Sequence, residues 1–78
     1  MITKKDGTEF YVEYKGYLRP GDRTKMRAIK KQYPDLDIRF IFMKANKPLY
    51  KGSKTEYWMW AEQWGFPWAE KEIPEEWL

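Results

Sequence analysis

Glu13 and Lys15 stand one residue apart in the run "FYVEYKG", Phe10–Gly16, which is rich in aromatic and β-branched side chains. Such a run reads as a strand, and side chains on a strand alternate between faces. Phe10, Val12 and Tyr14 therefore share one face, and Tyr11, Glu13, Lys15 and Tyr17 share the other. A carboxylate beside an ammonium suits hydrolysis of a phosphodiester. That reaction needs a water made nucleophilic near neutral pH and stabilisation of charge on the phosphate. Divalent metals supply both and carboxylates hold them, while a lysine alongside positions the water or stabilises the developing negative charge. The same spacing also describes an ordinary solvent-facing pair, so by itself it leaves both readings open.

Composition limits the chemistry further. The chain of 78 residues has no cysteine and no histidine. Disulfide scaffolds, thiolate metal sites, imidazole-zinc sites and histidine-activated nucleophiles are all excluded. Any metal would be held by oxygen ligands, which favours Mg2+ or Mn2+ over zinc. The sequence begins without a signal-peptide pattern and has no apolar run near the roughly 20 residues of a membrane span, so a cytoplasmic protein with no membrane partner is expected.

Charge is unevenly distributed. Residues 1–54 carry 14 Lys and Arg against six Asp and Glu, whereas residues 55–78 carry one Lys against six Glu. A basic front half suits a polyanion such as DNA. Five Trp, six Tyr and four Phe are a large apolar load for one small domain, and they require burial in a core or against a partner.

The elements that must position the pair follow from turn and periodicity signals. Asp6-Gly7 predicts a hairpin between strands over 1–5 and 8–17. Pro20-Gly21 ends the second strand, with Asp22 the expected N-cap of a helix running to about Tyr33, where Pro34 stops it. On that helix Arg23, Arg27 and Lys31 recur at i, i+4 and i+8 as a positive ridge, with Lys25 nearby. The run "DIRFIFM", Asp37–Met43, predicts a buried strand reached by a βαβ crossover, with Phe40 and Phe42 opposed to Ile38, Ile41 and Met43. "SKTE", Ser53–Glu56, has capping-box spacing and predicts a second helix from Ser53, with Tyr57, Trp60, Ala61 and Trp64 facing the core and Gly65 ending it. Trp58 and Met59 fall off that core face and are candidates for a surface covered by a partner. Ile73, Trp77 and Leu78 are expected to fold back on the domain. The sum is one α/β (α+β) domain over 1–78, a small mixed β-sheet flanked by helices.

Several motifs recur together and in order: "VExKG" at Val12–Gly16, "DR-x-K" at Asp22–Lys25, "Q-x-P-x-LDIR" at Gln32–Arg39, "LYKGS-x-T-x-Y" at Leu49–Tyr57 and "IP-x-EW" at Ile73–Trp77. From Tyr11 to Leu78 this pattern resembles the phage endonuclease I family, the Holliday junction-resolving endodeoxyribonucleases of the PD-(D/E)xK class. The resemblance implies a partial PD-(D/E)xK, restriction-endonuclease-like core. It implies that Glu13 is a metal-binding and catalytic glutamate, Lys15 the catalytic lysine and the Tyr14 backbone carbonyl a metal contact. Arg23, Lys25 and Lys51 become candidate DNA contacts, joined by Arg27 and Lys31 of the basic ridge. The implied cofactor is Mg2+ or Mn2+, and the implied substrate is branched DNA such as a four-way junction.

One part of the family pattern is missing. Its members carry a "PD" aspartate one hairpin upstream of the glutamate and, before it, a helix bearing another acidic ligand. The matching place here falls on Thr3 or Met1, and neither is acidic. Asp6 reads as turn chemistry, and Glu9 is displaced by a pleat. Three readings follow. The chain is the C-terminal portion of a split nuclease, completed by a partner chain or a homodimer mate in the bacterial cytoplasm; the family's intertwined dimers, in which one subunit's N-terminal segment completes the other's domain, set a precedent. Alternatively it is a non-catalytic DNA-binding or nuclease-interfering protein. In the third reading only ancestry remains and the pair is structural.

Overall fold

The computed structural model describes residues 2–78. Its order is β1 (Ile2–Thr3), β2 (Glu9–Lys15), α1 (Pro20–Gln32), β3 (Ile38–Phe42), α2 (Tyr57–Gln63), β4 (Trp68–Glu70) and a single 3-10 turn at Glu75–Trp77. The four strands lie in chain order in one mixed sheet. β1 and β2 are antiparallel, while β2, β3 and β4 are mutually parallel neighbours. Parallel neighbours need a crossover, and α1 provides the one expected between β2 and β3.

Alternation along β3 decides the layers. Ile38, Phe40 and Phe42 share a face and bury with Met26 of α1 and Tyr57, Trp60 and Ala61 of α2. Phe40 is wholly enclosed and meets Phe42, Trp60 and Phe66 at ring-centroid distances of 5.5, 5.6 and 5.1 Å. Ile38 thus lies with the two phenylalanines, contrary to the grouping expected from sequence, and Met43 lies beyond the strand and is exposed.

The opposite face carries Phe10, and the chain's end covers it. Trp77 stands edge-on to Phe10 at 6.0 Å, and the Lys5 amide donates to the Leu78 carbonyl. Between these rings the Arg39 guanidinium lies 4.3 Å from Phe10 and 5.1 Å from Trp77, while its Nε and a terminal nitrogen donate to both Asp37 carboxylate oxygens at 3.0 and 2.9 Å. The expected return of Trp77 and Leu78 to the domain is therefore present, and Ile73 is half-buried.

Both helices start differently from expectation. Pro20, with its fixed φ and missing N–H, occupies the first turn of α1, so the N-cap moves back to Arg19 and Asp22 becomes the third helical residue. Its carboxylate accepts from the Arg19 amide at 3.3 Å. Ser53 does not cap α2. Its hydroxyl is taken up by Thr55, donating to the carbonyl and accepting from the amide, and Glu56 is the N-cap. The short α2 ends at Gln63, leaving Trp64 as an exposed C-cap rather than a core residue. Gly65 follows with φ 76°, the conformation expected of a helix-ending glycine. Trp58 is half-buried on the domain itself, its ring 6.1 Å from that of Trp68 and its indole N–H donating to Glu56 Oε1 at 2.7 Å.

Candidate active site

β2 places Glu13 and Lys15 on one face, as alternation requires, and the pairing with β3 shows which face. Glu13 is in register with Phe40 and Lys15 with Phe42, so both point to the side covered by the helices. Tyr14, on the other side, is 58% exposed. The pair thus lies on the helix-covered face of the sheet. Lys15 Nζ lies 3.8 Å from Glu13 Oε2 and also 3.8 Å from Oδ1 of Asp22, in the first turn of α1. The lysine side chain is 21% exposed and the glutamate 43%, which leaves the carboxylate reachable from solvent and the ammonium largely enclosed.

Asp22 is a neighbour of the candidate pair that the sequence does not reveal as one. From the sequence alone it reads as a helix cap. The signal that could have found it is an acidic residue at the start of the helix that immediately follows the strand, because a short β2–α1 connection returns that turn over the strand's end.

The backbone of β2 is equally informative. The Tyr11 amide donates to the Asp37 carbonyl and the Met43 amide to the Lys15 carbonyl. In a parallel ladder this alternation commits the odd-numbered residues of β2 to β3, so the N–H and C=O of Val12 and Tyr14 turn toward the β1 side. β1 reaches only Glu9 and Phe10. Among the described residues, the β1-side edge at Val12–Lys15 has no strand against it. The described β1–β2 pairing stops at Phe10, so the place opposite Glu13 on that edge is not taken by β1.

The other candidate acids are elsewhere. Asp6 accepts from the Thr8 hydroxyl at 2.7 Å and the Thr8 amide at 3.0 Å, which holds its carboxyl below the ordinary carboxylate value and makes it a turn residue. Glu9 sits four residues from Glu13, about 13 Å along the strand. Thr3 pairs with Glu9, and Met1 lies outside the described residues. Among the described residues no three Asp or Glu side chains gather into a set that could hold a metal. Glu13 and the Tyr14 carbonyl are oxygen donors of the hard type that Mg2+ or Mn2+ takes, and Mg2+ commonly uses one or two carboxylates with waters and substrate phosphates. They fit such an ion as part of its coordination shell.

The basic candidates divide by what they touch. Arg23 is half-buried and donates to the Leu18 and Leu49 carbonyls at 2.9 and 3.5 Å, which ties α1 to the loop after β3. Lys25, Arg27 and Lys31 are exposed on α1, and Lys51 is exposed in the turn closed by Gly52 at φ 87°. Among the described residues no helix is long and apolar enough to cross a membrane.

The model of the family described as phage endonuclease I matches residues 6–78. Endonuclease I of Escherichia phage T7 is 44% identical over 68 residues, covering 87% of this chain and 46% of that protein. Endodeoxyribonuclease 1 of Enterobacteria phage T3 is 44% identical over 64 residues, covering 82% of this chain and 42% of its own length. The chain spans less than half the length of these relatives. With nearly its whole length matched and its Glu13–Lys15 strand seated against the helical layer, the chain belongs to the phage endonuclease I family.

Proposed function

We infer that the chain supplies Glu13 and Lys15 to a Mg2+- or Mn2+-dependent deoxyribonuclease site for branched DNA, completed by a further segment. That segment pairs along the β2 edge and comes from a separate polypeptide or a homodimer mate, in the cytoplasm of the bacterial host. The observation that carries this reading is the open β2 edge beside Glu13, toward which the Tyr14 carbonyl turns. An antiparallel strand added there brings side chains directly opposite Glu13 and Lys15, close enough to share a ligand.

A divalent cation, when bound, renders water nucleophilic near neutral pH and offsets charge on the phosphate. Glu13 and the Tyr14 carbonyl would hold it. Lys15 would stabilise the charge that develops on the phosphate, and Asp22 and Glu13, each 3.8 Å from its Nζ, orient that side chain. The shape-dependent part of recognition rests on the exposed cations Lys25, Arg27, Lys31 and Lys51, which contact phosphates and read no base sequence.

A second reading, a DNA-binding or nuclease-interfering protein, is favoured by one observation: the described residues alone gather no three-ligand metal set. Cleavage of a synthetic four-way junction in Mg2+ or Mn2+ separates the two. The purified chain is assayed alone and with phage-infected cell extract, wild type beside Glu13→Ala. Cutting that appears in extract and requires Glu13 supports the completed nuclease. Junction binding without any Glu13-dependent cutting supports the binding module.

A further inference from the structure

Away from Glu13 and Lys15, a cleft of about 480 Å³ opens between α1 and the end of α2, lined by Thr24, Arg27, Ala28, Lys30, Lys31 and Trp64. Thr24, Arg27, Ala28 and Lys31 fall at i, i+3, i+4 and i+7, one face of α1, and the small Ala28 leaves the middle of that face open. No carboxylate lines the cleft, and Arg27, Lys30 and Lys31 form no ion pair among the described residues.

The three cations have different tasks. Lys30 is held in place, its Nζ donating to the Gly65 carbonyl at 3.3 Å and lying 5.3 Å from the Phe66 ring. Arg27 and Lys31 are exposed. The Arg27 guanidinium stands 5.3 Å from the centroid of Trp64, an indole that is 38% exposed because α2 stops one residue before it. A flat indole beside a planar guanidinium, with a second cation one helical turn away, offers stacking and charge together. Inorganic anions use only the charge, and duplex DNA hides its base faces. A nucleotide with an unstacked base uses both.

We propose that this cleft binds an unpaired nucleotide of a DNA strand, its base on Trp64 and its flanking phosphates on Arg27 and Lys31. The site is separate from Glu13 and Lys15 and does not depend on whether that pair cleaves.

The test is fluorescence anisotropy of the full chain with a labelled short oligothymidylate, the same strand made abasic, and a duplex of equal length. Trp64→Ala is expected to weaken oligothymidylate binding about 5- to 150-fold, the range of one lost base–aromatic stack, with duplex binding unchanged. Trp64→Tyr restores it. Arg27→Ala lowers affinity for the intact and abasic strands alike. Wild-type protein is expected to bind the abasic strand as weakly as Trp64→Ala binds the intact one. Equal wild-type affinity for the intact and abasic strands would overturn the proposal whatever the variants do. So would failure of the wild type to bind single strands.

Discussion

The Lys15 ammonium stands 3.8 Å from the Asp22 carboxylate, joining the end of β2 to the first turn of α1. Asp22 also accepts from the Arg19 amide, so one side chain serves the helix start and the lysine together. Asp22→Ala should lower stability by about 1 kcal/mol, the usual worth of an acidic cap at a helix start. In the completed assembly it should also slow cleavage by leaving Lys15 mobile. Thermal denaturation and junction cleavage read the two effects separately, and Asp22→Asn, which keeps the amide contact, should recover most of the stability and little of the rate.

Arg23 and Arg27 differ in kind although both belong to the basic ridge. Arg23→Met removes donors from the Leu18 and Leu49 carbonyls and should destabilise by about 1–3 kcal/mol. Arg27→Met should leave stability within about 0.5 kcal/mol. On duplex DNA, reversing the charge at Arg27 or Lys31 should weaken binding and flatten its dependence on salt by about one ion or more each. A salt titration of the affinity checks this.

Phe40 is the residue whose loss the fold tolerates least. It is fully buried and touches three other rings. Phe40→Ala should cost about 3–5 kcal/mol, against a total near 4–12 kcal/mol for a domain of this size. Urea denaturation should show a largely unfolded or barely folded protein at 37 °C.

The Asp37–Arg39 pair makes stability depend on acid. Hydrogen bonds from Arg39 hold the Asp37 carboxyl below its ordinary 3.8, opposed by partial burial. A depressed folded value means the contribution is fully present above the unfolded value. It is lost as pH falls through the lower, folded one. Stability measured from pH 6 downward should therefore decline below about pH 4. Asp37→Asn should remove part of that decline and loosen the Trp77 segment that Arg39 holds.

Much of this was legible in the sequence for a physical reason. Period-two alternation is strict, so the shared face of Glu13 and Lys15 followed from spacing alone. The crossover between β2 and β3 followed from element order. Which face the helices cover did not, because Tyr14 and Val12 look as apolar as a core face and only the pairing with Phe40 and Phe42 decides it. Asp22 was misread because capping residues are recognised by local contacts, whereas its contact with Lys15 spans two elements. Trp64 was misread because its place in an i, i+3, i+4, i+7 stripe presumes a helix that continues, and α2 stops at Gln63. Asp37 and Arg39 have the same period-two spacing as Glu13 and Lys15, but the stacking of Arg39 on Phe10 and Trp77 exists only once the chain's end folds back on that face.

Metal ligation by Glu13 is tested most directly by changing what kind of ion the site accepts. The chain has no cysteine, so Glu13→Cys introduces a single thiol. In the completed assembly, junction cleavage by this variant should fall about 100-fold or more in Mg2+ and recover in Cd2+, since thiolates prefer soft ions to hard ones. Cleavage in Mg2+ that is undiminished by Glu13→Cys would contradict a metal-binding role for Glu13.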